Sequence, residues 1–125
     1  MKWMDRERSF WVIGGDLRQR ALARLLREDG HTVHIAGLEG EGLEPEPLGP
    51  GLALAHCVIL PLPVAVGESF VHTPLSAARL PLAQVLDCLR PGQLVCGGMI
   101  SPAVAAEMTR RGLRWADYYA REECM

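Results

Sequence analysis

The chain has 125 residues, 49% of them apolar, with 13 basic and 15 acidic side chains and a formal net charge of −2. This composition provides for one globular core and excludes a disordered tail. It offers no net positive field for nucleic acid and no apolar run long enough to span a membrane. The charged opening residues carry no signal-peptide stretch, so a cytoplasmic protein is expected.

Taken in chain order, residues 10–13 form a short apolar run that reads as a first strand, closed by Gly14 and Gly15. Leu17, Ala21, Leu22, Leu25 and Leu26 recur at helical spacing, with Arg18, Arg20, Arg24 and Arg27 on the remaining faces. Gly30 is expected to end that helix as a left-handed cap. Residues 32–36 read as the second strand. Residues 37–51 hold too many Gly and Pro for a regular element, and only about one helical turn is expected near residues 52–54.

Residues 56–60 are the third strand, stopped by Pro61 and Pro63. Residues 64–80 read as a small hairpin or flap around Gly67 and Glu68, either a lid or an ordinary loop. As a lid it would offer Ser69, His72 and Thr73 as polar contacts. Pro81 is expected at the first position of a helix that buries Leu82, Val85, Leu86 and Leu89 and ends at Pro91 and Gly92. Residues 93–96 are the fourth strand, closed by Gly97 and Gly98. Ser101 caps and Pro102 opens a helix burying Val104, Ala105 and Met108, ending at Gly112. Residues 113–116 are the fifth strand, and residues 117–125 read as the start of another helix.

Strands alternating with helices predict an α/β fold of three layers, flavodoxin- or Rossmann-like. Its sheet is open, five-stranded and mostly parallel, with strand order 2-1-3-4-5. In such sheets ligands bind beyond the carboxyl ends of the strands, where the strand order reverses. Gly14, Gly15 and Asp16, then Pro61 and Pro63, then Gly97 and Gly98 stand at those ends. Asp16 and Gln19 have capping-box spacing. Arg18 lies in the first helical turn, where a cation is unfavourable against the helix dipole. Two readings stay open: Arg18 points to water, or it holds an anion together with the helix's first N–H groups. Asp16 is the one weak candidate for a catalytic base, and its role as a cap competes.

Other chemistries fit less well. The dinucleotide pattern G-x-G-x-x-G is incomplete, and no acidic residue ends the second strand. The third strand ends without the aspartate of a phospho-acceptor domain. The turn after the first strand lacks the Ser and Thr of a flavodoxin phosphate loop. Ser101 is explained as a cap rather than a nucleophile. Cys57, Cys88, Cys96 and Cys124 form no C-x-x-C pair and share no metal spacing with His31, His34, His56 or His72, so they read as small buried hydrophobes with no metal. His34 reads as a half-exposed strand residue.

Four stretches in fixed order carry a family likeness. They are Val-Ile-Gly-Gly-Asp-Leu-Arg-Gln at 12–19, Val-Ile-Leu-Pro-Leu-Pro at 58–63, Leu-Arg-Pro-Gly-Gln-Leu-Val-Cys-Gly-Gly at 89–98 and Asp-Tyr-Tyr-Ala-Arg-Glu-Glu at 117–123. Together they resemble the N-terminal domain of the dipicolinate synthase A subunit from spore-forming bacteria, over nearly the whole chain.

The resemblance implies a single domain at residues 1–125, the first of two in a longer chain. The second domain, absent here, would bind NAD or NADP. The full enzyme would oxidise a dihydrodipicolinate-type precursor to dipicolinate in the cytoplasm of the sporulating mother cell, working with the dipicolinate synthase B subunit. This domain alone would be inactive and would hold no cofactor. Because such substrates are dicarboxylates, the resemblance favours substrate contacts at Gly14, Gly15, Asp16, Arg18, Gln19, Pro61, Pro63, Gly97 and Gly98. The general base, the choice between NAD and NADP, and a homo-oligomer stay open. The alternatives are a non-catalytic subunit-assembly domain, with apolar exposed surface and filled strand ends, and a free-standing flavodoxin-like protein that binds small anions.

Overall fold

The computed structural model describes residues 8–38, 45–61, 64–66, 70–73 and 80–117. In chain order these form β1 (Ser9–Ile13), α1 (Leu17–Glu28) and β2 (Thr32–Ala36), then a 3-10 turn at Pro50–Leu54. β3 (Cys57–Ile59), β4 (Ala65–Val66) and β5 (Phe70–Val71) follow, then α2 (Leu82–Asp87), β6 (Leu94–Gly97), α3 (Pro102–Arg110) and β7 (Arg114–Asp117). Five strands pair in the order β2-β1-β3-β6-β7, every pair parallel. Counted over the sheet alone this is 2-1-3-4-5, the order expected from the alternation of elements.

The pleat sends alternate residues to opposite faces, and both faces are covered. On one side Val12, Val33, Ile35, Cys57 and Ile59 pack against Ala23, Leu22 and Leu26 of α1. On the other Trp11, Ile13, Val58, Leu60 and Val95 pack with Leu52, with Leu82, Val85 and Leu86 of α2, and with Val104 and Met108 of α3. Each fully buried aliphatic side chain contributes about 1.5–3 kcal/mol, which offsets the entropy of ordering the chain.

The helix ends follow local chemistry. Ser101 Oγ accepts from Val104 N–H (3.2 Å) with Pro102 in the first turn of α3. Gly30, with φ +93°, ends α1 while His31 N–H reaches back to Leu26 C=O (3.1 Å). His34 is half-buried, stacks on Trp11 and meets Glu46 through Nδ1 (2.8 Å).

Several expectations need correction. The buried face of α1 is Gln19 and Ala23 with Leu22 and Leu26 beside them; Leu17, Ala21 and Leu25 lie exposed. Two apolar stripes are equally good helical spacings, and only the sheet decides which one is covered. Pro81 caps α2 from outside rather than opening it, because its ψ of 130° is extended. Gly97 is the last residue of β6 and is buried there.

Ala65–Val66 and Phe70–Val71 do form an antiparallel pair, β4 with β5. The turn expected around Gly67 and Glu68, together with Ser69, Pro63, Cys124 and the helix expected after residue 117, lies outside the described residues. Cys57 is buried, Cys88 and Cys96 half-buried, and all three are thiols outside any disulfide. The sulfurs of Cys57 and Cys96, on neighbouring strands, lie 3.7 Å apart. The hydrogen bond with Cys96 and burial push the Cys57 thiol well above the ordinary thiol range. This makes it a poor nucleophile. Among the described residues no helix is long and apolar enough to cross a membrane.

Candidate functional site at the carboxyl edge of the sheet

The strand order reverses between β1 and β3, and the turns leaving β1, β3 and β6 meet there. Gly14 and Gly15 turn the chain with φ of +67° and +97°, conformations that L side chains rarely adopt. Both are also crowded. A Cβ on Gly14 would sit 2.6 Å from His72 C=O, and one on Gly15 would sit 2.1 Å from Gln19 Cγ and 3.1 Å from Pro61 Cβ. Gly14 N–H donates to Ala36 C=O and Gly15 N–H to His72 C=O, both at 2.8 Å. The return leg of the 64–80 segment is therefore fastened onto this turn. His72 and Thr73 are half-buried there, and Ser69 lies outside the described residues.

Asp16 caps α1 by accepting from Arg18 N–H (3.0 Å). Its carboxylate also receives Arg18 Nε (3.3 Å) and Nη2 (3.1 Å), so the guanidinium folds back as a fork onto the cap. The side-chain and backbone hydrogen bonds from Arg18 hold the Asp16 carboxyl below its usual range. That makes Asp16 a weak base, and its cap role accounts for its position. The ion pair is exposed, so its contribution to stability is small.

Gln19 does not close a capping box. It is 5% exposed and donates through Nε2 to Ile59 C=O (3.4 Å) at the end of β3. Gln19 and Pro61 thus occupy the crevice between β1 and β3. Gln19 and Pro61 crowd the turn at Gly15, and the third glycine of the dinucleotide fingerprint is missing.

Gly97 and Gly98 serve packing. A Cβ on Gly97 would meet Val64 Cγ2 at 2.5 Å. Gly98 N–H donates to Pro61 C=O (3.2 Å), and Gly98 C=O accepts from Val64 N–H (3.0 Å). The structure therefore brings Gly14, Gly15, Gln19 and Pro61 together, with Gly97 and Gly98 joined to them through Pro61 and Val64. Asp16 and Arg18 stand at the exposed rim.

Sequence reading missed the turn that follows. Met99 has φ +57°, lies 55% exposed, and is held by Asp117, whose carboxylate accepts from Met99 N–H (3.2 Å) and Ile100 N–H (2.7 Å). No local pattern links residues 99 and 117; the β6–β7 pairing of Gly97 with Asp117 makes the contact. Among the described residues no cluster of three or more His, Cys, Asp or Glu could hold a metal ion. Two cavities, of about 230 and 420 Å³, lie elsewhere: one between α2 and α3, the other at the amino edge of the sheet.

With this geometry in hand, comparison with known proteins gives a consistent result. The chain is similar to the A chain of dipicolinate synthase from Bacillus subtilis, with a TM-score of 0.77 and 20% identity over 94% of this chain and 42% of that one. It is likewise similar to the dipicolinate synthase A subunit from Bacillus halodurans, with a TM-score of 0.78 and 16% identity over 93% and 42%. At these identities the likeness establishes the fold, and the chain spans under half the length of either protein. The comparison with curated proteins found no match. The family model for the N-terminal domain of the dipicolinate synthase A subunit matches residues 9–119. The chain therefore belongs to the family of dipicolinate synthase A-subunit N-terminal domains.

Proposed function

We propose that this domain is the substrate side of a dipicolinate synthase, an NAD(P)-dependent oxidoreductase whose cofactor is bound by a second domain of a longer chain. Its substrate is a dihydrodipicolinate-type dicarboxylate, and its setting is the cytoplasm of a sporulating mother cell, beside the B subunit. The observation that carries this reading is the Gly14–Gly15–Asp16–Arg18 turn at the reversal of strand order, in a chain of this family.

Arg18 presents five N–H donors, and Asp16 engages the guanidinium at Nε and Nη2. A carboxylate of the substrate docks at the same guanidinium by joining or exchanging with Asp16. Pro61, Gly97 and Gly98 shape the wall beneath it. Hydride transfer itself belongs to the cofactor, so this domain binds, orients and excludes water.

The test is calorimetric titration of the full-length protein with dipicolinate. Arg18→Ala is expected to weaken binding about tenfold or more, the loss of one charge-assisted hydrogen-bonded contact. Asp16→Asn keeps a good cap, loosens its hold on Arg18, and is expected to tighten binding. Unchanged affinity in Arg18→Ala refutes the role of Arg18.

A second reading, a subunit-assembly domain, draws on two observations. Gln19 and Pro61 fill the strand-end crevice, and Leu17 and Leu25 stand 64% and 58% exposed on one face of α1. It predicts that Leu17→Glu with Leu25→Glu abolishes association with the B subunit, or with a second copy, and leaves dipicolinate binding intact.

A further inference from the structure

At the amino edge of the sheet, opposite the site above, a cavity of about 420 Å³ is lined by Leu54, Ala55, His56, residues 90–93 and Arg114. Three of its side chains are basic and none is acidic. Arg111 nearby pairs with Asp87 and Glu107, and Arg110 with Glu107. Among the described residues neither Arg90 nor Arg114 has such a carboxylate partner.

The wall is built rather than loose. Gln93 is 5% exposed; its Nε2 donates to Leu52 C=O (2.6 Å) and Ala55 C=O (2.9 Å), while its Oε1 accepts from Arg90 N–H (3.0 Å). One buried amide thus fixes the backbone on both sides of the cavity. Arg114 N–H donates to Gln93 C=O (2.9 Å), and its Nε donates to Gly92 C=O (2.9 Å), which orients the guanidinium through one edge. Ser9 N–H donates to His56 Nδ1 (3.0 Å), so the ring carries its proton on Nε2, as a donor.

Three of the acceptors in the lining are already engaged. Leu54 C=O accepts from Ser9 Oγ, Ala55 C=O from Gln93, and Gly92 C=O from Arg114. What this lining offers a ligand is donors and positive charge.

We infer that this cavity is a binding site for a small, doubly charged oxyanion, with Arg90, Arg114 and His56 Nε2–H as its donors. Phosphate and a dicarboxylate share that chemistry. The site is separate from the Arg18 rim and does not depend on the function proposed above.

The test is NMR of the 15N-labelled full-length protein, titrated separately with inorganic phosphate and with dipicolinate, against sodium chloride at matched ionic strength. Saturable shifts of the amides of His56, Arg90, Gly92 and Gln93 with at least one probe, absent with chloride, are expected. Phosphate alone, dipicolinate alone or both identify the source. Arg90→Ala, on an exposed turn, weakens that binding about tenfold or more, since a charge-assisted contact to an anion is lost. Arg114→Lys keeps the charge but loses the fork and weakens it less. Linear, chloride-like shifts with both probes overturn the inference. So does dipicolinate shifting only the amides of residues 14–18 while phosphate is silent, and so does undiminished affinity in Arg90→Ala.

Discussion

Replacing Gly15 by Ala adds one methyl group at the point where three parts of the fold converge. Two costs arise together. The φ of +97° is a conformation that L residues avoid, at about 1–2 kcal/mol. The new Cβ would also fall 2.1 Å from Gln19 Cγ and 3.1 Å from Pro61 Cβ, and overpacking of this kind costs about 1–3 kcal/mol. The expected loss is about 2–5 kcal/mol, a large part of the roughly 5–15 kcal/mol that holds a domain together.

Two controls separate the costs. Gly30 has φ +93° with nothing within 4 Å of a Cβ, so Gly30→Ala carries strain alone. Gly97 has no such φ, but its Cβ would lie 2.5 Å from Val64 Cγ2, so Gly97→Ala carries crowding alone. With a urea slope of about 2 kcal/mol per M, the midpoint should fall by about 1–2.5 M for Gly15→Ala and about 0.5–1 M for Gly30→Ala. Gln19→Ala removes the Cγ that the new methyl meets, so in a double-mutant cycle it should recover part of the Gly15→Ala loss. A Gly15→Ala midpoint no lower than that of Gly30→Ala would show that Gln19 and Pro61 do not pack on this turn.

Other outcomes follow from single contacts. Gln93→Leu leaves Ala55 C=O and Arg90 N–H without their partner, takes one of two donors from Leu52 C=O, and should cost about 2–4 kcal/mol in calorimetric unfolding, whereas a loss below about 1 kcal/mol would contradict the buried network. Met99→Gly removes the strain of φ +57° and an exposed apolar side chain, so its Tm should equal or exceed that of the parent; a clear drop in a thermal melt would argue against the left-handed turn. Asp117→Ala strips both acceptors from that turn and should lower stability by about 1–2 kcal/mol by the same melt. The Asp16 carboxyl titrates lower folded than unfolded, so the stabilisation it adds is present above the ordinary carboxylate value and lost as pH falls through the lowered one. Below about pH 4 the parent should therefore lose stability faster than Asp16→Asn, and parallel pH profiles of Tm would contradict this.

Much of the fold was legible because it is written in short-range chemistry. Strands announce themselves as apolar runs bounded by Gly and Pro, and Ser101-Pro102 marks a helix start through hydrogen bonds that span three residues. The alternation of elements with right-handed crossovers then leaves few sheet orders, and the one expected is the one observed. The candidate site was legible in location, since Gly14, Gly15 and Pro61 sit at strand ends, but not in use. Gln19 read as half of a capping box because that partner is three residues away; its actual partner, Ile59, is forty residues away. Arg18 read as a local positive feature, and the Asp16 fork that offsets it depends on a side-chain rotamer.

The elements and their order in the sheet could be read from the amino acids alone, because periodicity, caps and turn residues act over a few neighbouring positions, and four stretches in fixed order carried the family resemblance. Packing settled the rest: which stripe of α1 is buried, that Asp117 clamps the Met99 turn, and that Arg90, Arg114 and His56 line one cavity. Those are contacts between residues far apart in the chain, set by strand register and by how the layers close, and no local pattern encodes them.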